Sequence, residues 1–239
     1  MQIHFFSLLA QSKVDLNNLA ATLVGCGATL LWYLAYLLII RRARIDKTYA
    51  MPFAAMCVDT TWEFIYTFRI HPPSTMGRLQ VDWAIVADFI WFMLDVGIVI
   101  TWLAYWRAGS PPGLSPKWHL PALAAALAVS AAVIFGMQGE FEHLPGEHDL
   151  PGGVSSFLRS LVMSATYVAM AVRRNSTAGQ SLAIALTMLV GGAMGSAYMV
   201  MSSPHFRNPF WITLFVVIFL LASLYTVLVA RLRGAPQTA

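Results

Sequence analysis

The sequence predicts an all-α polytopic membrane protein: a seven-transmembrane helix bundle forming a single domain over residues 1–239. Three observations carry that expectation. Hydrophobic residues make up 58% of the chain and charged residues 11%, and mean hydropathy is +0.66, a balance unlike that of an ordinary soluble domain. Apolar runs recur at about 20 residues each, the length that crosses about 30 Å of hydrocarbon. Basic residues alternate from loop to loop. Arg41, Arg42, Arg44, Lys47, Arg107, Lys117, Arg173, Arg174, Arg231 and Arg233 fall on one side, and only Lys13, Arg69, Arg78 and Arg207 on the other. The richer side is expected in the cytoplasm, with the N-terminus outside and the C-terminus inside. The net charge of +4 then reflects this asymmetry facing an anionic inner leaflet, and calls for no nucleic-acid partner.

The first span, 17 to 40, follows a polar stretch with Lys13, Asp15, Asn17 and Asn18 and lacks a small-residue cleavage site, so it reads as a retained helix. The second, 50 to 69, starts near Pro52, where proline is tolerated, and contains Asp59 and Glu63. Asp88 and Asp95 lie in the third, 82 to 106. The fourth runs from 119 to 137, and the fifth, 154 to 172, holds Arg159. In the sixth, 179 to 202, Gly191, Gly192, Ala193, Gly195, Ser196 and Ala197 form a small-residue face expected to admit a neighbouring backbone. Pro209 stands near the start of the seventh, 208 to 230.

Cys26 and Cys57 both fall within spans, which argues against a disulfide framework or a cysteine metal site. Trp102, Trp106 and Trp118 near the inner boundary, with Trp83 and Trp211 near the outer, read as an interfacial belt. Residues 138–153 carry Glu140, Glu142, His143, Glu147, His148 and Asp149. Their spacing matches no specific metal motif, so the stretch reads as a solvated acidic loop whose functional use would be as a lid.

The four intramembrane acids demand an explanation, because each ionisable group at mid-bilayer costs about 2.5 to 3.5 kcal/mol. Asp59 and Glu63 are four residues apart and Asp88 and Asp95 seven, so each helix turns its pair toward one side. Counting from the span ends puts Glu63, Asp88 and Arg159 at similar depth, with Asp59 and Asp95 about a turn deeper. Charges of both signs can then form a buried network. A structural role, with Arg159 neutralising one acid, is one reading; proton chemistry is the other, favoured for Glu63 and Asp95.

Aromatic rings share these faces: Trp62 and Tyr66 on the second helix and Trp91 on the third. Such stripes usually pack, but a ring face also stabilises a desolvated cation by about 2 kcal/mol or more. A carboxyl kept from water holds its proton, and a second polar group must stabilise the carboxylate formed when that proton leaves. Proton-initiated cyclisation of a polyene needs this combination of a dry proton source and cation-tolerant walls.

The runs Thr61-Trp62-Glu63-Phe64-Ile65-Tyr66 and Trp91-Phe92-Met93-Leu94-Asp95 resemble those of the small seven-helix integral-membrane terpene cyclases. That family includes fungal meroterpenoid cyclases and, more similar still, bacterial drimentine-type cyclases acting on farnesylated indole diketopiperazines. The resemblance implies a reaction without metal or other cofactor: protonation of the terminal alkene of a farnesyl chain, ring closure through tertiary cations, and loss of a proton. It matches Glu63 to the essential glutamate of the fungal Trp-Glu-Phe motif. Those enzymes also use an aspartate in the last span, whereas this chain has no Asp or Glu after Asp149. The second acid must then be Asp95, Asp59 or Asp88. The expected acid unit is Glu63 with Asp95, supported by Asp59 and Asp88; Trp62, Tyr66 and Trp91 would shield cations and Arg159 anchor the acids. The implied partners are a farnesylated small molecule and membrane lipid, and the implied location is a bacterial cytoplasmic membrane.

Two other classes compete. A magnesium-dependent membrane prenyltransferase would use acids to hold metal, yet Arg159 is the one deep base available for a diphosphate. A proton-coupled carrier or receptor would also use buried carboxylates. A retinal Schiff base is ruled out, because Lys13, Lys47 and Lys117 all lie outside the spans.

Overall fold

The computed structural model describes residues 16–68, 83–109, 115–141 and 150–234. Among these residues seven α-helices follow in chain order: α1 Leu16–Asp46, α2 Phe53–Thr67, α3 Trp83–Gly109, α4 His119–Phe141, α5 Leu150–Arg174, α6 Leu182–Ser202 and α7 Pro209–Gly234. No strand occurs among the described residues. The loop residues 142–149 and the arginines Arg69 and Arg78 lie outside them, as does the side chain of Trp83.

Helix ends follow local chemistry. The Ser181 hydroxyl accepts from Ile184 N at 3.2 Å to start α6, and Asn208 Oδ1 accepts from Trp211 N at 3.2 Å to start α7, whose first residue is Pro209. Within the spans, Thr29, Thr61, Ser130, Ser160 and Thr226 turn their hydroxyls back to the carbonyl four residues earlier. This satisfies a polar group where no water is at hand.

Six of the helices are long and apolar enough to cross a membrane. The exception is α2, whose 15 residues span about 22 Å at the helical rise. It compensates by burial: Ala55, Met56, Cys57, Asp59, Thr61, Glu63, Ile65 and Thr67 are all shielded by neighbouring helices.

Packing closes a ring. α1 lies against α6, α6 against α7, α7 against α5, α5 against α2, α2 against α3, and α3 against α1, while α4 packs against α2 and α5. The larger core cluster, including Tyr36, Ile39, Met56, Ile98, Tyr167 and Met188, fills the half of the ring toward the α1–α2 and α5–α6 connections. At that end Asp46 accepts from Gly179 N at 2.7 Å, and Arg174 donates to Tyr49 O at 2.9 Å, tying the two connections together. A smaller cluster of Val154, Phe157, Phe206, Trp211, Phe215 and Ile218 fastens α5 to α7 at the other end.

Two expectations change here. Trp102 and Trp106 are each 6% exposed and Trp211 3%, so their indoles pack inside the bundle; Trp118, at 63%, does face outward. Trp102 stacks on Phe53 at 5.1 Å, Trp106 on His119 at 4.6 Å, and Trp211 donates to His205 Nε2 at 3.0 Å. The small-residue face of α6 also divides. A side chain at Gly191 would meet Leu31 and Trp32 at 3.3 Å, which is the close approach to α1 that was expected, whereas one at Gly192 or Gly195 would meet nothing within 4 Å. Those two glycines face open space.

Candidate active site

The acids on α2 and α3 converge. One carboxylate oxygen from each of Asp59, Glu63 and Asp95 lies within 4.8 Å of the others, and all three residues are fully buried. Arg159 of α5 enters from the other side, its Nη1 standing 2.6 Å from Glu63 Oε1 and 3.0 Å from Asp59 Oδ1. One guanidinium nitrogen thus serves two carboxylates, a geometry that fixes α5 against α2. Neither oxygen of Asp95 finds a hydrogen-bond donor among the described residues. Asp95 stands beside Asp59 and Glu63, and like-charged carboxyls this close in a dry interior favour a proton between them.

Tyr36 on α1 completes the group by donating its hydroxyl to Asp59 Oδ2. No sequence feature singled it out, although a tyrosine hydroxyl in an apolar helix signals a buried partner. The same holds for Ser155 on α5, whose Oγ accepts from Trp62 Nε1 at 2.7 Å and lies 3.3 Å from the Tyr66 hydroxyl.

The aromatic residues form a wall beside the acids. Trp62 stacks on Tyr66 with centroids 4.3 Å apart, and the Arg159 guanidinium carbon also lies 4.3 Å from the Trp62 ring. Two groups that close can be accommodated only on opposite faces, so Trp62 is sandwiched and its edge is what remains. That alters the expected cation-shielding role: Trp62 covers Arg159 first. Trp91 meets Tyr33 at 5.1 Å and Tyr36 at 6.4 Å in edge-on contacts.

On the other side of this wall is a cavity of about 1010 Å³. Its acid-facing end is formed by Tyr36, Trp62, Trp91, Arg159 and Asp88. Its far side is apolar or small, with Gly25, Cys26 and Ala28 from α1, Gly192, Ala193 and Gly195 from α6, and Phe215, Ile218 and Ala222 from α7. Asp59, Glu63 and Asp95 do not line it. The structure therefore groups three of the four predicted acids behind the wall and sets the fourth, Asp88, on the cavity surface.

Three carboxylates this close also form a conceivable cation site. The space between Asp59 and Glu63 is taken, however, by the Arg159 nitrogen, which supplies the positive charge an ion would bring.

Sequence comparison places this architecture among known proteins. A family profile described as Pyr4-like transmembrane terpene cyclases matches residues 14–234. The Pyr4-family terpene cyclase mfmH of Annulohypoxylon moriforme is 32% identical over 167 residues, which are 68% of this chain and 62% of that protein, less than two thirds of its length. The terpene cyclase ausL of Emericella nidulans is 29% identical over 72% of this chain and 78% of its own length. The terpene cyclase pyr4 of Aspergillus fumigatus is 23% identical over 76% of this chain and 71% of its own.

Proposed function

The chain belongs to the Pyr4-like transmembrane terpene cyclases, and from that premise we propose that it is an enzyme of the isomerase or lyase type that protonates the terminal alkene of a farnesyl chain. Rings then close through carbocations, and a final deprotonation leaves an alkene, with no metal taking part. The observation that carries this reading is the juxtaposition of Asp59, Glu63, Asp95 and Arg159 with a largely apolar cavity.

The chemistry follows from charge. Arg159 balances one negative charge among three carboxyls, so the cluster has room for two protons. Releasing one creates a carboxylate beside a guanidinium already in place, and stabilisation by a preset charge needs no reorganisation when the proton moves. Glu63 and Asp95 are the proposed acid unit, Arg159 pairs with Glu63 directly and with Asp59 beside it, and Asp88 marks the chamber's polar end. Trp91 and Tyr66 join Trp62 in excluding water around the cluster. The cavity volume suits a farnesyl chain with a fused-ring headgroup, at the upper end for pockets that engulf small molecules. A prenylated indole of the diketopiperazine kind is the proposed substrate. A bacterial cytoplasmic membrane with the N-terminus outside is the proposed setting; the relatives compared above are fungal.

A diphosphate-ionising prenyltransferase is less well supported, because the deep arginine that would hold the diphosphate is committed to two carboxylates. The test is incubation of membranes carrying the protein with a farnesylated indole diketopiperazine and a chelator. The expected product has the substrate's mass and a changed retention time, and Glu63→Gln should lower its formation by about 1000-fold or more while the protein still accumulates. Loss of product on chelation alone would instead favour the metal-dependent reading.

A further inference from the structure

The proposed acid cluster and the cavity do not touch directly, which leaves a gap in the path of the proton. Asp59, Glu63 and Asp95 are fully buried and none borders the cavity. Two groups that border it bind the cluster directly, Tyr36 by its hydroxyl to Asp59 and Arg159 through its ion pairs. Arginine does not surrender a proton in proteins. A phenol can both donate and accept one.

We propose that Tyr36 is the catalytic residue at the cavity wall, relaying a proton of the Glu63–Asp95 acid unit, passed on through Asp59, to the substrate alkene. This rests on the cyclase reading above and adds the path that reading lacks. When a proton of the acid unit passes to Asp59, the contact with Tyr36 reverses: the acid donates to the phenolic oxygen, and the phenol O–H is released toward the cavity. The O–H bond then breaks as the alkene π pair forms a new C–H bond, leaving a tertiary cation in the cavity. In the same step the phenolic oxygen takes the proton from Asp59. The negative charge therefore ends on the Asp59 carboxylate, 3.0 Å from Arg159 Nη1, and not on a phenolate. After ring closure a carbon next to the cation gives a proton back to the Tyr36 oxygen, and Tyr36 returns one to Asp59. Protons and electrons balance over the cycle, as an isomerisation requires, with no external reagent.

The position of the ring supports this role. Tyr36 is 1% exposed and braced edge-on by Trp32 at 6.3 Å and Trp91 at 6.4 Å, so its hydroxyl has little freedom to swing away from Asp59. A relay needs that restraint because both proton transfers depend on one oxygen holding its place.

The experiment compares wild-type and Tyr36→Phe protein in membranes with a farnesylated indole diketopiperazine, reading kcat and KM separately. Phenylalanine keeps the ring, so kcat should fall about 100-fold or more while KM stays within about threefold. Turnover by Tyr36→Phe within about threefold of wild type overturns the relay. Should that variant fail to accumulate, a fluorinated tyrosine incorporated at position 36 preserves the packing while making the hydroxyl more acidic. A relay then changes both kcat and its solvent deuterium isotope effect, and if neither changes the relay is overturned. Wild-type protein that yields no cyclised isomer removes the cyclase reading and the relay together, whereas an active wild type with an active Tyr36→Phe removes the relay alone.

Discussion

The two halves of the ring differ in kind. Toward α2, α3 and α5 the interior is ionic and buried, with three carboxyls grouped together and a guanidinium paired to two of them. Toward α1, α6 and α7 it is apolar and partly empty, lined by glycine, alanine and hydrophobic side chains. The difference shows a division of labour that one mixed pocket could not achieve. A buried ionic network needs tight mutual contact, because removing one partner strands a charge, whereas a chamber for a bulky chain needs vacancy. Separating them lets each be satisfied.

Substitutions on the two sides should therefore have different signatures. The largest effect among these is expected for Asp95→Asn, which removes an acid from the packed half while keeping its shape. Turnover should fall about 100-fold with KM little changed. Unaltered turnover would make Asp95 a packing residue, and poor accumulation measured by immunoblot would point the same way. On the empty half, Gly192→Leu places a side chain where nothing lies within 4 Å, so the helix should fold normally and even gain propensity. The expected result is a rise in KM of about tenfold for the farnesylated substrate with kcat largely retained, the reverse of the Asp95 pattern. A collapse of kcat would show that the two halves are not independent. The smallest effect is expected from Ser155→Ala, which removes the hydroxyl contacting Trp62 and Tyr66. Losing such a bond costs about 1 kcal/mol, or about fivefold in activity, and the Arg159→Lys background should abolish the difference if the indole acts through Arg159.

The helices were readable because spanning length and apolar composition are local properties of the chain. Glu63 and Asp59 were also readable as neighbours, since four residues bring two side chains to one helical face. Asp88 and Asp95 share a stripe for a similar reason, but seven residues separate them by about 10.5 Å along the axis. Only Asp95 joins the α2 pair within 4.8 Å, and Asp88 borders the cavity instead. Depth estimates brought Arg159 to the right level without revealing that it bridges two acids. Trp102 and Trp106 mark the limit of such estimates: distance from a span end gives height in the bilayer but not which way the indole points. Tyr36 was unreadable for a different reason. Its partner lies 23 residues away on another helix, and a tyrosine in an apolar run signals a buried partner without saying which group that is.

The open glycines of α6 carry a wider consequence. Because Gly192 and Gly195 of α6 shape the space while the acids stand on α2 and α3, part of the mould is encoded apart from the reagent. Successive changes along α6 and α7 can then recast the contour into which a chain folds, yielding new carbon skeletons, while the apparatus that starts the reaction is inherited intact.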